Sequence, residues 1–362
     1  MNNPSVDYAK KTASIQLLKT ITIIIVLGIN LAFTFIIAKS LELPQIMAGL
    51  IIWSYITIYL LYNIRHFVNF TAKAKKTLII APLEEMYESV EEDDFLLHFH
   101  LYSALNDFNE VARAAKLPRK TNIFFLEETN RQMAYSGGTI HDGIIVFTLP
   151  FFLKFPEPEE RKAVIAHEAA HLKNGDTIYW SIVRNLSSLS KSTYFLVLLN
   201  TMLLFSQSHL YAGLFLAFCL IITGTFFILE IRSVLAQKER QKTTDIASFF
   251  SRIVLSVMLY TLIGLLFGWH FALPIFFINC FVLPLLIQKT ARAFEEVADL
   301  FVASLGYADG LISFFIKNLP TDNDELVKDS IKEIFSVHPS EINRIKNLMK
   351  YQTSTTLKRR QI

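Results

Sequence analysis

Residues 167–171, His-Glu-Ala-Ala-His, are the part of this chain whose residue types and spacing point most directly to chemistry. On a helix, positions i and i+4 share a face, so His167 and His171 can present both imidazoles to one metal ion. Glu168 projects beside them, where its carboxylate can accept a proton from a hydrolytic water. Catalytic zinc takes three protein ligands and keeps one position open. The pattern therefore predicts one Zn²⁺ per chain, with Glu168 as general base.

A third ligand must come from elsewhere in the chain. Asn174 and Thr177 stand where the longer HExxHxxGxxH pattern requires Gly and His, which excludes that type of site. Glu295 is the best candidate, because Asp299 follows four residues later on the same helical face and can accept the second N–H of a ligand histidine. Glu296 is a rival by spacing alone. The same segment is also compatible with a charged helix that binds no metal.

The composition indicates that the elements around these residues include membrane helices. Hydrophobic residues make up 52% of the 362 residues, and the mean hydropathy is +0.38. Charged residues make up 19%, which is less than in average soluble proteins. The net charge of +3 is too small to indicate nucleic-acid binding. The two cysteines lie inside apolar blocks, without the spacing of a metal site or a structural disulfide.

The apolar blocks predict a polytopic membrane protein with about six transmembrane helices. The predicted spans are residues 20–38, 46–64, 194–205, 210–231, 253–269 and 271–287. The chain then divides into four parts. Residues 1–64 form an N-terminal transmembrane hairpin, and residues 65–185 form a catalytic segment that contains the HExxH helix. Residues 186–290 form a group of membrane helices with a basic loop at 232–252, and residues 291–362 form a C-terminal helical segment that completes the catalytic site.

The catalytic segment has the pattern of a small α+β domain within a mainly α protein. Up to about residue 116 the pattern predicts one or two amphipathic helices. Residues 122–126 (NIFFL) and 143–148 (GIIVFT) are rich in Ile, Val and Phe and predict strands. A helix is predicted over 159–173, and Gly175 suits its C-terminal end. The small sheet is expected to lie beside this helix.

The positions of Lys and Arg predict the orientation in the membrane. An even number of spans precedes the catalytic segment, and an even number separates it from the tail, so both lie on one side. The basic residues near the spans fall on that side, whereas the opposite loops contain only Lys39. The positive-inside rule makes the shared side cytoplasmic. His171 and Glu295 are therefore expected on the same face of the membrane.

Four motifs occur in a characteristic order along the chain. HExxH is followed by Asn174-Gly175-Asp176, then by an ExxxD motif at Glu295–Asp299, and last by an HP…R motif at His338-Pro339 and Arg344. Together with the membrane hairpins, this order resembles the HtpX family of membrane zinc metalloproteases, relatives of the CAAX prenyl proteases. The resemblance implies a zincin-like catalytic domain and a zinc metalloendopeptidase of the gluzincin type. It also implies that Glu295 is the third zinc ligand and that Asp299 orients a ligand histidine.

The same resemblance implies that His338 and Arg344 are catalytic residues near the cleft. There they would stabilise an oxyanion or hold the Glu/Asp pair in place. The alternative is that Ser340 caps a helix and Arg344 is exposed. Residues 133–137 (MAYSG) resemble the family's strand before the active-site helix, and such an edge can bind an extended substrate by strand addition.

The sequence therefore favours an endopeptidase that cleaves membrane or membrane-associated proteins. It is expected in a bacterial inner membrane, with its active site facing the cytoplasm, the lipid bilayer and its substrates as partners, and no nucleic acid. One alternative is a CAAX-type prenyl-protein protease, which about seven spans would favour. Another is a regulatory membrane protein with a slow or non-catalytic zinc site. Glu168 argues against the latter, because a scaffold has no need of a base.

Overall fold

The computed structural model describes most of the regions that carry the predicted site. The described stretches are residues 3–40, 80–82, 95–118, 121–126, 134–139, 141–148, 157–183, 268–319 and 339–359, with isolated positions at 54, 57–58, 61–62, 65, 88, 151, 186, 260–261 and 264. Outside them lie His338, the loop at 232–252 and the predicted spans at 194–205 and 210–231, together with most of the spans at 46–64 and 253–269. Within the described stretches the protein is mainly helical.

The chain separates into two compact units. The first comprises Met1–Ile21, Tyr59–Ile182 and Gln288–Ile362, and the second comprises Thr22–Ile58 and Val183–Ile287. All residues of the predicted metal site that the structure describes belong to the first unit.

Helix α1 (Pro4–Ser40) begins well before the apolar block that predicted a span at 20–38. Its residues Pro4–Ala32 are long and apolar enough to cross a membrane. The part before the apolar block is helical as well, and it carries polar side chains such as Tyr8, Gln16 and Lys19. The polar segment and the apolar block therefore belong to one helix, and the polar segment lies in the first unit.

Four strands form one sheet in the order β1-β2-β4-β3. They are β1 (Ile80–Pro82), β2 (Asn122–Leu126), β3 (Ala134–Gly138) and β4 (Gly143–Thr148). Strands β2 and β4 are parallel, whereas β1 and β3 pair antiparallel with β2 and β4 respectively. The two strands predicted at 122–126 and 143–148 are confirmed residue for residue. Strand β4 is buried along its whole length, which explains its unbroken apolar run.

Strand β1 lies in a region that the sequence predicted to be helical, and that prediction is wrong for residues 80–82. Three residues are too few for a period-two pattern, and the strand exists because Ile80–Pro82 pairs with β2. The predicted amphipathic helix before residue 116 is confirmed as α2 (Phe95–Ala115).

Helix α3 (Pro158–Asn174) contains the HExxH motif and is predicted almost to the residue. Pro158 suits the first turn, where its missing N–H costs nothing. Gly175 ends the helix in the left-handed conformation with φ of 69°, which glycine adopts without strain. Arg161 forms a buried ion pair with Asp107 at 2.8 Å, which fixes α3 against α2. The helix is buried on most of its circumference, as expected for a central helix.

One continuous helical stretch runs from residue 269 to residue 305. It consists of α4 (Trp269–Phe277), a π-helical turn (Ile278–Val282) and α5 (Leu283–Leu305). Pro284 cannot donate a backbone hydrogen bond, and the π-helical turn ends two residues before it, at Val282. Residues Ala272–Leu305 of this stretch are a second candidate membrane span by length and composition. The predicted span at 271–287 thus continues as helix through Glu295 and Asp299.

Helices α6 (Ala308–Asn318) and α7 (Glu341–Arg359) complete the first unit. Helix α6 approaches α3 so closely that a Cβ added to Gly310 would collide with the carbonyl oxygen of Glu159. One hydrophobic core joins α2, β4, α3, α5, α6 and α7, and it includes Leu101, Ile145, Ile165, Val302, Leu311 and Leu348. The helices that carry the predicted site residues are therefore fixed to each other by shared packing.

Candidate metal centre

Helix α3 brings the two motif histidines together as the i, i+4 spacing predicts. The Nε2 atoms of His167 and His171 are 3.2 Å apart. The two ring planes are nearly perpendicular, at 89°, with centroids 4.8 Å apart, so the rings do not stack. Glu168 is buried on the same helix, between the two histidines in sequence. Both imidazoles therefore point a potential ligand atom at one position.

Glu295 on α5 supplies a carboxylate at this position. Its Oε2 lies 3.2 Å from Nε2 of His167, and its Oε1 lies 4.0 Å from Nε2 of His171. One ligand atom from each of the three residues lies within 4.8 Å of the others. Tetrahedral zinc with bonds of about 2.0–2.2 Å separates its ligand atoms by roughly 3.3 Å. The donor set and its spacing therefore fit a catalytic zinc ion with two histidines and one glutamate.

Glu296, the rival ligand, lies on another face of α5. Its Oε2 forms an ion pair with Lys11 at 3.0 Å, and its side chain is 45% exposed. The side chain of Glu295 is only 10% exposed. The helical register thus turns Glu295 toward the histidines and Glu296 toward the surface of the first unit.

Each histidine has a carboxylate at its other ring nitrogen. Asp299 Oδ1 lies 3.1 Å from Nδ1 of His167, and Asp176 Oδ2 lies 2.8 Å from Nδ1 of His171. An acceptor at Nδ1 favours the tautomer whose Nε2 lone pair is free to bind a metal. The sequence predicted Asp299 in this position. It assigned no role to Asp176, although Asp176 follows the glycine that ends α3 and is five residues from His171.

Arg344 on α7 binds both acidic residues of α5. Its Nε and Nη2 donate to the two carboxylate oxygens of Asp299 at 2.8 and 2.7 Å, and its Nη1 lies 3.0 Å from Oε2 of Glu295. The guanidinium group also lies over the ring of Phe315, 4.3 Å from its centroid. Burial lowers the pKa of Arg344, but the two carboxylates raise it by more. Arg344 is therefore a permanent cation that holds Glu295 and Asp299 together.

The alternative interpretation, in which Ser340 caps a helix and Arg344 is exposed, is correct only for Ser340. Ser340 precedes α7, and its Oγ accepts the N–H of Asn343 at 3.4 Å, which is a long capping contact. Arg344, however, is not exposed, because only 12% of its side-chain area is accessible to solvent. His338 lies outside the described residues, so its predicted role near the cleft stays a prediction.

The groups around His167 shift the pKa of its imidazole. Burial lowers the pKa of its imidazole, but hydrogen bonds to Asp299 and Glu295 raise it by more, to about 9 in the metal-free protein. A metal ion requires the neutral imidazole, so metal binding must displace this proton.

Strand β3, at one end of the sheet order, packs beside α3. It covers Ala134–Gly138, one residue later than the segment that the sequence singled out at 133–137. Thr177 donates its hydroxyl hydrogen to the carbonyl oxygen of Gly138 at 2.6 Å, which ties the end of the strand to the residues after α3. Within the described sheet, the strand on the predicted substrate side is therefore attached to the residues that follow the HExxH helix.

Comparisons with known proteins agree with this geometry. The model of one family, described as Peptidase family M48, matches residues 105–352, which is well over half of the chain and includes every predicted site residue. A search of curated proteins found no match.

Proposed function

Because this chain belongs to peptidase family M48, whose members are metal-dependent and generally use zinc, we propose that it is a zinc-dependent endopeptidase of the gluzincin type. His167, His171 and Glu295 would hold the zinc ion, and Glu168 would act as the general base. The observation that carries the proposal is the convergence of three ligand atoms from two helices within 4.8 Å, beside a buried glutamate.

The residues of the site divide the work of peptide hydrolysis. Zinc, when bound, supplies Lewis acidity that polarises a carbonyl and makes water easier to deprotonate. The carboxylate of Glu168 takes a proton from water as the oxygen attacks the peptide carbonyl, and it then delivers that proton to the leaving amine. Asp299 and Asp176 hold the imidazoles of His167 and His171 in the ligating tautomer. Arg344 holds the carboxylates of Glu295 and Asp299 in place. His338 remains a candidate for binding the oxyanion.

We further propose that the enzyme is a multi-pass membrane protein whose α+β catalytic domain faces the cytoplasm, with about six spans and the four-part division predicted from the sequence. The two apolar helices at Pro4–Ala32 and Ala272–Leu305 support a membrane location. Since α5 continues a candidate span, Glu295 is attached directly to a membrane helix. This favours membrane or membrane-associated proteins as substrates, in a bacterial inner membrane.

Removal of the metal tests the enzymatic proposal. The full chain, purified in detergent, is expected to contain one zinc ion by atomic absorption and to cleave an unfolded or membrane-associated protein. A chelator should abolish cleavage, and zinc added in slight excess should restore it, because the ligands are protein side chains that stay in place. Cleavage that continues after zinc has been removed to below one-tenth of an equivalent would contradict the proposal.

Cysteine labelling tests the proposed topology. Arg240→Cys and Lys350→Cys are made in a chain whose two native cysteines are replaced by serine. Both should react with a membrane-impermeant maleimide only after the membrane has been permeabilised, so that the reagent reaches the cytoplasmic side. Lys39→Cys should react from the opposite side and serves as the control. Labelling of positions 240 and 350 from opposite sides would disprove the even number of spans between them.

A further inference from the structure

The polar segment of α1 contacts the residues that follow the metal-binding helix. Nζ of Lys19 donates a hydrogen bond to the carbonyl oxygen of Asn174 at 2.6 Å and lies 2.7 Å from Oδ1 of Asp176. The contact with Asp176 is an ion pair by distance and does not have the angles of an aligned hydrogen bond. Both side chains are buried, with 7% and 3% of their areas exposed. A lysine is almost never buried to this extent unless it is paired.

Asp176 connects this lysine to the metal site. Its Oδ1 faces Lys19, while its Oδ2 lies 2.8 Å from Nδ1 of His171. The two oxygens of one carboxylate therefore bridge a cation from α1 and a predicted zinc ligand from α3. Nζ of Lys19 also lies 4.7 Å from the ring centroid of Phe294, the residue before Glu295. The ammonium group thus sits behind both metal-binding helices.

The need to anchor α1 to the rest of the first unit does not by itself explain why the charge of Lys19 is buried. Tyr8 donates its hydroxyl hydrogen to Oδ1 of Asn174 at 2.8 Å, and Gln16 donates to the carbonyl oxygen of Asn174 at 3.2 Å. Tyr8 also packs against Phe301 of α5. These contacts fix α1 to the same place without a buried charge. Of these α1 residues, Lys19 is the one that reaches the carboxylate which orients His171.

We infer that Lys19 is a positioning residue of the metal site, acting through Asp176 on His171. This inference rests on the proposed zinc site and adds a residue from α1 to it. The ammonium group holds the Asp176 carboxylate in the orientation that receives N–H from Nδ1 of His171, and so keeps Nε2 directed at the metal. Outer residues that orient a ligand in this way change metal affinity by about 10–100-fold when they are lost.

The test compares zinc affinity in the full-length protein by competition with a chromophoric chelator, together with the visible absorption spectrum of the cobalt-substituted protein. Lys19→Met should weaken zinc binding by about 10–100-fold and change the cobalt spectrum, because His171 is no longer held. Gln16→Met removes a hydrogen bond to the same Asn174 carbonyl but leaves Asp176 untouched, so it should retain wild-type affinity and spectrum. Lys11→Met, which removes an exposed cation of the same helix, should do likewise.

A double-mutant cycle identifies the route of the effect. Asp176→Asn should weaken zinc binding, and Lys19→Met added to it should have no further effect. This comparison also serves if Lys19→Met alone fails to fold, because the double variant contains neither buried charge. Additive losses, or an unchanged or tighter zinc affinity in Lys19→Met, would overturn the inference while leaving the zinc site intact. Absence of zinc binding in the wild-type protein would remove the proposed function, and the inference with it.

Discussion

Replacement of Glu168 by glutamine is expected to leave zinc bound and to lower kcat by on the order of 10²–10⁴-fold. The three ligand side chains are unchanged, so the metal affinity should stay within a few-fold of the wild-type value. Glutamine has nearly the shape of glutamate but cannot take the proton from water. Zinc content and the rate of cleavage, measured on the same preparation, separate the two effects.

Glu159→Gln is the matched control for this variant. Glu159 lies nine residues before Glu168, near the start of α3, and its side chain is 70% exposed, so the same change of charge on the same helix should leave kcat unchanged. Full activity in Glu168→Gln would rule out Glu168 as the base. Loss of zinc together with activity would show that Glu168 is a ligand, which the convergence of His167, His171 and Glu295 does not predict.

The second large effect is expected from Glu295→Ala, which removes the proposed third zinc ligand. Zinc affinity should fall by at least about 10²-fold, more than the loss of an orienting residue causes, and activity should fall with it. Glu296→Ala should leave both unchanged within a few-fold, because Glu296 pairs with Lys11 at the surface of the first unit. Chelator competition and a cleavage assay on the pair of variants measure the difference.

A loss of folding must be separated from a loss of the ligand in this comparison. Arg344 keeps two hydrogen bonds to Asp299 when Glu295 is removed, so thermal unfolding of the metal-free variant should remain cooperative. Glu295→Gln keeps the volume of the side chain and should also weaken zinc binding, because an amide oxygen carries no charge. Normal zinc binding in Glu295→Ala and weak binding in Glu296→Ala would show that the ligand assignment is wrong by one residue.

The parts of the fold that the sequence predicted well are those specified by local patterns. Strands β2 and β4 are short apolar runs between turn residues, and α3 begins at a proline and ends at a left-handed glycine. The pairing of His167 and His171 follows from helical geometry alone. Glu295 required more, because spacing left Glu296 open and the preference came from the resemblance to a family.

Other parts of the site depend on contacts between distant segments, which local patterns do not specify. The place of Arg344 near the cleft was predicted only from the resemblance to a family, and its burial follows from the packing of α7 against α6, where Phe315 lies beneath its guanidinium group. Asp176 and Lys19 form an ion pair that no periodic pattern in the sequence indicates. The sequence of α1 has the pattern of a membrane helix preceded by basic residues. Strand β1 is defined by its partner and has no pattern of its own.

We propose that His167, His171 and Glu295 together bind one zinc ion. The most direct test is a structure of the zinc-loaded full-length protein with anomalous data recorded at the zinc edge. One anomalous peak is expected about 2.0–2.2 Å from Nε2 of His167, Nε2 of His171 and a carboxylate oxygen of Glu295. A peak bound by Glu296 in place of Glu295, or a zinc ion held away from both histidines, would contradict it.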